Sequence, residues 1–402
     1  MSELLTQQLS AIDKLRHYKV GALFMRPGTG KSRSAIELIR QIEGIDYVLW
    51  LAPYNSVHRD DGTGIRTEVA KWGGFDCPVE FIGIESLSSS DRIFLEATRR
   101  LEAASKPFLV VDESLKIKNW QAKRTKRIIE LGQRADYKLI LNGTPISRNL
   151  LDVWAQMEFL SPLILRMSIA EFKNTFCEYT RITKRFGTYK QYTKEFITAY
   201  HNVDYLYSLI HHYVFEADLN LSIHQQHIDI DYSLDEDALE EYHRLKELYL
   251  DNEKLQYLNN NIFLEMTQKM QHGYCCTDEK FELLERLFKS IPQKETIIAC
   301  KFIRSQEECR KRFPQATVLS LQKEAMSLNL QHCNNVVFWD KTWDWALVDQ
   351  MKHRIWRTGQ TRDCRFYNLN GNVGLEKLMA ANNDKKEKLL QYLKVKTLKE
   401  AL

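Results

Sequence analysis

The stretch Gly21-Ala22-Leu23-Phe24-Met25-Arg26-Pro27-Gly28-Thr29-Gly30-Lys31-Ser32 joins an apolar run to a helix-like one, Ser34 to Ile42, through two glycines and a lysine. A short run apolar on both faces, followed by glycine and then a helical period, reads as a buried parallel strand turning into a helix. Glycines let backbone N–H groups converge on one point, and a helix start makes that point favourable for an anion. Gly28, Thr29 and Gly30 are therefore expected to cradle phosphates. Lys31 is expected to reach the β- and γ-phosphates of ATP, and the Ser32 hydroxyl to ligate Mg²⁺. The spacing is the shorter G-x-G-K-S form of the motif, which by itself also fits an ordinary glycine-rich turn.

Three more runs follow before Pro145: Tyr47 to Leu51, Phe108 to Val111 and Lys138 to Leu141. Alternation of such runs with helical patterns predicts an α/β domain with a parallel sheet between helix layers. Asp112-Glu113 follows the third run, so both carboxylates emerge at a strand's C-terminal end, where parallel sheets place their ligands. Asp112 is expected to hold the Mg²⁺ opposite Ser32, and Glu113 to orient and deprotonate the attacking water. Beyond Leu150 the pattern becomes amphipathic and helical. Residues Asp229 to Glu253 carry ten acids against two bases, which reads as an acidic helical bridge. The α/β rhythm resumes with Thr296 to Cys300, Ala316 to Leu319 and Asn335 to Trp339. The expected organisation is a first lobe over 1–162, a mostly helical insertion over 163–276 and a second lobe over 277–402.

The 402 residues exceed a single small module, at roughly 150 residues per domain. Apolar residues at 44% and charged residues at 27% are those of a globular chain and exclude overall disorder. A net charge of +4 is too small to mark a polyanion binder, so any basic surface is local. Eight cysteines without CxxC or Cys/His spacing support neither a zinc finger nor a disulfide scaffold. With no signal-like start and no run of about 18 apolar residues, the expectation is a chain that is neither secreted nor membrane-bound. Its cysteines read as reduced buried thiols, so it is expected in the cytoplasm.

At this point the motifs resemble a known family, the Swi/Snf-type DNA translocases of helicase superfamily two. Asp112-Glu113-Ser114-Leu115-Lys116-Ile117-Lys118-Asn119 is similar to its Walker B segment. Asn142-Gly143-Thr144-Pro145, Asn149-Leu150, Trp154 and Phe159-Leu160-Ser161-Pro162 resemble motif III, and Pro53 with Glu68 and Lys71-Trp72 resembles motif Ia and its helix. Trp339-Asp340-Lys341-Thr342-Trp343, Gln350, Arg354, Arg357 and Gly359-Gln360 look like motifs V and VI. Gln8 stands where the family's adenine-reading glutamine is expected. The resemblance implies two RecA-like lobes that bind and hydrolyse ATP between them and step along duplex DNA, a compact bacterial or phage-like member of the family. Arg354 and Arg357, three residues apart, would share a helix face and supply positive charge at the γ-phosphate, with Gln350 one turn earlier. Without the motif they would read as a solvated basic face.

The sequence also departs from that family. Ser114 and Leu115 stand where alanine and histidine are preferred, motif V over Lys323 to Leu330 lacks its glycines, and the segment from Phe302 to Leu328 is short. The paired arginines that end the family's helical bridge are absent around Val214 to Leu219. Backbone-tracking contacts to DNA are expected from Asn55, Ser56, Lys118 and Thr144. Trp343 and Trp345 are stacking candidates, with core packing the expected role of at least one of them. Lys116 to Arg127 holds six bases and no acids, and Arg181 to Lys194 five bases and no acids around a hairpin expected to turn at Gly187-Thr188. Three functions stay open: a duplex-DNA translocase, a strand-separating helicase and a DNA-binding scaffold with a weakened ATPase. A protein partner supplying specificity fits the small size.

Overall fold

The structure, a computed structural model, describes residues 3–59, 62, 64–146, 149–186, 190–219, 221–250, 260–322, 330–357, 359–381 and 383–384. Two compact units divide the chain. The first takes the described residues up to Ile182 and those from Lys194 to Leu219. The second takes the described residues of 183–193 and those from Leu221 on.

The apolar runs of the N-terminal half become β1 (Val20–Met25), β2 (Tyr47–Ala52), β3 (Val79–Gly83), β4 (Pro107–Asp112) and β5 (Tyr137–Asn142). Two long strands, β6 (Cys177–Phe186) and β7 (Lys190–Tyr200), pair only with each other, and β8 (Val214–Ala217) closes the first unit. The main sheet runs β3-β2-β4-β5-β1-β8, with every neighbouring pair parallel. Helices 31–40, 91–103 and 123–132 bury their apolar stripes, and Ser90 caps the second by accepting from the Ile93 N–H at 3.3 Å. Leu23, Met25, Ile36, Ile39, Trp50, Val110 and Leu141 are buried in one core cluster. Each such side chain contributes roughly 1.5–3 kcal/mol on leaving water.

Register decides where the loops fall. Asp112 of β4 lies opposite Leu141 of β5, and Leu141 and Asn142 lie opposite Leu23 and Phe24 of β1. The ends of β1, β4 and β5 are therefore level, and the segments that follow them emerge at one edge.

The second unit repeats the plan with β9 (Gln225–Tyr232), β10 (Thr296–Cys300), β11 (Thr317–Ser320), β12 (Asn335–Phe338) and β13 (Cys364–Gly371) in the parallel order β11-β10-β12-β13-β9. Both units are thus the parallel-sheet α/β lobes expected from the sequence. The stretch 163–276, expected to be mostly helical, is mixed. It holds helices 169–176, 203–210, 236–250 and 260–273, but also β6 to β9. Gln225 to Tyr232 is a strand because its Ile228, Ile230 and Tyr232 alternate with polar residues, and Asp229 and Asp231 accept from Asn368 and Asn370 of β13 at 2.9 and 3.1 Å. The acidic stretch is a helix only from Glu236. Gly187 and Thr188, the expected hairpin turn, and residues 323–329 of motif V lie outside the described residues.

Candidate nucleotide site

Gly28 and Gly30 follow β1 with φ of 90° and 84°, a left-handed region that glycine enters without strain. Gly30 is required for a second reason: a Cβ there would lie 1.8 Å from Gln8 Nε2. Gln8 is buried against the loop, its Oε1 accepting from the Leu5 N–H at 2.9 Å and its Nε2 donating to the Thr29 carbonyl at 3.5 Å, while Gln7 Nε2 donates to the same carbonyl at 3.0 Å. Thr29 is buried and its hydroxyl donates to the Arg26 carbonyl at 2.6 Å. Gln8 and Thr29, both expected to touch nucleotide, thus shape the loop. Lys31 and Ser32 open helix 31–40 half-buried, and Arg33 stacks its guanidinium over Trp72, 4.3 Å from the ring centroid.

Asp112 ends β4 half-buried. Burial drives its carboxyl up to about 6; the Lys31 ammonium opposes the rise and Glu113 adds to it. A half-buried carboxylate whose charge desolvation disfavours, with a serine hydroxyl at the same sheet edge, is a donor set that suits a hard divalent cation. Glu113 stands at φ 52°, ψ 54°, a left-handed conformation that costs a non-glycine residue about 1–3 kcal/mol. Its N–H donates to Asp112 Oδ1 at 2.9 Å, which helps to hold that turn.

Among the expected DNA contacts, Asn55 is exposed, and Ser56 and Lys118 are half-buried. Thr144 departs from expectation. It is buried and its hydroxyl donates to the Ile146 carbonyl at 2.6 Å, in a loop that Gln156 of helix 151–160 holds by donating to the Pro145 carbonyl at 2.8 Å. Glu85, which sequence reasoning passed over, organises the nearby surface: it accepts from the Tyr54 N–H at 2.8 Å and pairs with Lys116 at 3.2 Å.

The remaining candidates belong to the second unit. Gln350 lies in helix 345–352, which Asp344 caps through the Ala346 N–H at 3.1 Å. The helix ends at Lys352, so Arg354 and Arg357 sit in the turn that follows it and the shared helix face expected of them is not formed. Gln360 fixes this turn. Its Nε2 donates to the Ile355 carbonyl of the turn at 3.4 Å and to the Gln331 and Cys333 carbonyls at 3.0 and 2.8 Å, and its Oε1 accepts from the Thr361 and Arg362 N–H groups, both at 3.1 Å. Arg354 is 8% exposed and Arg357 half-buried. Trp343 packs against the core and donates its indole N–H to Thr267 at 3.4 Å, which is the packing alternative to its stacking role.

Two parallel α/β units, the first with a glycine-anchored phosphate loop and paired carboxylates at one sheet edge, define a P-loop nucleotide-binding protein. The chain belongs to the SNF2-related domain family, which matches residues 78–338. It is 25% identical over 325 residues to the SWI/SNF chromatin-remodeling complex subunit snf22 of Schizosaccharomyces pombe, covering 65% of this chain and 19% of that protein. It is 38% identical over 69 residues to the helicase ssl-1 of Caenorhabditis elegans, covering 17% and 3%. A Sulfolobus solfataricus SWI2/SNF2 ATPase core solved in complex with dsDNA aligns with TM-score 0.42 and 18% identity, covering 97% of this chain and 92% of that one. The chain spans no more than a fifth of the length of these two curated relatives. No helix among the described residues is long and apolar enough to cross a membrane.

Proposed function

We propose that this chain is a Mg²⁺-dependent ATPase that couples hydrolysis to movement along duplex DNA without separating its strands. The observation that carries the reading is the common edge of β1, β4 and β5, where Lys31, Ser32, Asp112 and Glu113 emerge together. Gly28 and Gly30 turn backbone N–H groups toward the phosphates and Lys31 neutralises the β- and γ-oxygens. Ser32 and Asp112 would hold Mg²⁺, which supplies charge neutralisation at the transferring phosphoryl group. Glu113 takes the proton of the attacking water. Arg354 and Arg357 stabilise charge that develops in the transition state, and Gln350 assists in orienting the water. Gln8, which shapes the phosphate loop through Thr29, would read the adenine edge with the hydrogen-bonding capacity that its contacts to Leu5 and Thr29 leave on the amide.

Family membership and relatives named as helicases and as a chromatin-remodelling subunit support DNA as the track. Asn55, Ser56 and Lys118 would grip phosphates, a polar surface that needs no base contact. Separation of strands would need an apolar wedge to offset unstacking at a few kcal/mol per step. The proposed halves are a first lobe over 1–162, to whose sheet β8 adds an edge strand, and a second over 277–402, to whose sheet β9 adds one, acting in the cytoplasm, with a protein partner setting the target.

The test is triplex-strand displacement beside forked-duplex unwinding under the same ATP turnover. Displacement without unwinding supports the translocase. Efficient unwinding favours the helicase, and binding without turnover the scaffold.

A further inference from the structure

Helix 151–160 lines its buried face with Val153, Trp154, Ala155, Met157, Phe159 and Leu160, and among them stands Gln156, itself 0% exposed. Burying an amide without partners costs roughly 1–3 kcal/mol, so its partners explain its presence. Ser114, also 0% exposed, donates its hydroxyl to Gln156 Oε1 at 2.6 Å. Gln156 Nε2 donates to the Pro145 carbonyl and to the Asp152 carbonyl, each at 2.8 Å. The amide orientation is fixed by this set, because a flipped Gln156 would aim its oxygen at two carbonyl oxygens. Asn142 Nδ2 reaches Ser114 Oγ at 3.5 Å from the third side.

We infer that Gln156 is a positioning residue. Through Ser114 it holds the strained backbone of Glu113, and through Pro145 it ties that backbone to the loop after β5. On one side of Glu113 the turn is held by the Asp112 carboxylate, and on the other by this buried pair. A strained residue persists where its surroundings over-determine it, and these contacts do so for the residue that is to take the proton. Ser114, where the family prefers alanine, thus acts within its own unit.

The inference rests on the proposed ATPase and is tested with Gln156→Leu, Ser114→Ala and the conservative Ser114→Thr. The first two should lower kcat roughly 10- to 10²-fold, the cost of a slightly misplaced group, with KM for ATP kept within about twofold. Ser114→Thr, which keeps the hydroxyl, should stay near the parent rate. Amide hydrogen exchange in nucleotide-free Gln156→Leu should accelerate together at 113–117 and 143–146. Parental kcat in a folded Gln156→Leu chain, or acceleration confined to one of the two segments, would overturn the inference. If Gln156→Leu does not fold, Ser114→Ala, which removes one oxygen, carries the same two measurements. A parent chain that hydrolyses no ATP would sink the ATPase reading instead, and the exchange data would still decide the link.

Discussion

The edge of the first sheet and the turn after helix 345–352 both carry residues that the motifs single out, yet they are built differently. At the sheet edge, strand register levels the ends of β1, β4 and β5, so residues distant in sequence emerge together. In the second unit, Arg354 and Arg357 lie beyond the helix end in a turn tied down by Gln360, whose amide engages five backbone groups, Ile355 of that turn among them. A parallel sheet converts sequence spacing into position almost automatically, whereas a turn needs a dedicated polar side chain to define it.

The largest effect that could break this contrast is at the sheet edge. Lys31→Ala should abolish hydrolysis and weaken ATP binding, while Glu113→Gln should keep binding and stop turnover. Equilibrium titration with a fluorescent ATP analogue beside steady-state phosphate release separates the two. Near-parental turnover by Glu113→Gln would remove that residue from its assigned role.

Next in size, Arg354→Ala and Arg357→Ala should each lower kcat by up to roughly 10³-fold with nucleotide affinity nearly kept, since contacts made mainly in the transition state act this way. Loss of fold with normal turnover in the folded fraction would instead make either residue structural. Arg354, the more buried of the two, needs the melting curve measured alongside.

Gln360→Ala sharpens the claim about the turn. Removing its amide leaves the Gln331 and Cys333 carbonyls without that donor and should cost about 1–3 kcal/mol in the second unit. Urea unfolding followed by Trp fluorescence measures the loss, and an unchanged midpoint would show the turn to be held by other contacts.

How far the sequence exposes each region follows from the same contrast. Runs such as Tyr47 to Leu51 and Thr296 to Cys300 are buried on both faces and are read directly as strands. Cys364–Gly371 and Gln225–Tyr232 alternate apolar with polar residues, the latter at a sheet edge, and the acids of the second gave it the look of a helix. Glycine and lysine spacing reveals the phosphate loop, but not that Thr29 and Thr144 turn their hydroxyls onto backbone carbonyls. Gln156 left one trace, a lone amide set among Val153, Trp154, Ala155 and Met157 of a helical run, whereas Glu85 acts through partners far away in sequence.

The smallest effect concerns Glu85. Burial pushes its carboxyl up, but the Tyr54 N–H and the Lys116 ammonium outweigh it and hold the group below the ordinary 4.5. A depressed folded-state value means stabilisation present above 4.5 and lost as pH falls through the lower folded value. Glu85→Gln should therefore melt below the parent at pH 6, by less than about 1 kcal/mol for a half-exposed pair, and approach it as pH falls from 4.5 through the lower folded value. A gap that is constant with pH would deny the ionic contribution.

The account's central claim is that the first sheet's edge hydrolyses ATP in response to duplex DNA. Steady-state phosphate release, measured at saturating Mg²⁺-ATP against rising concentrations of a blunt duplex, tests it most directly. The predicted result is a saturable rise in turnover that Lys31→Ala eliminates and that added salt shifts to higher DNA concentration. Turnover indifferent to duplex DNA, or unaffected by Lys31→Ala, would contradict it.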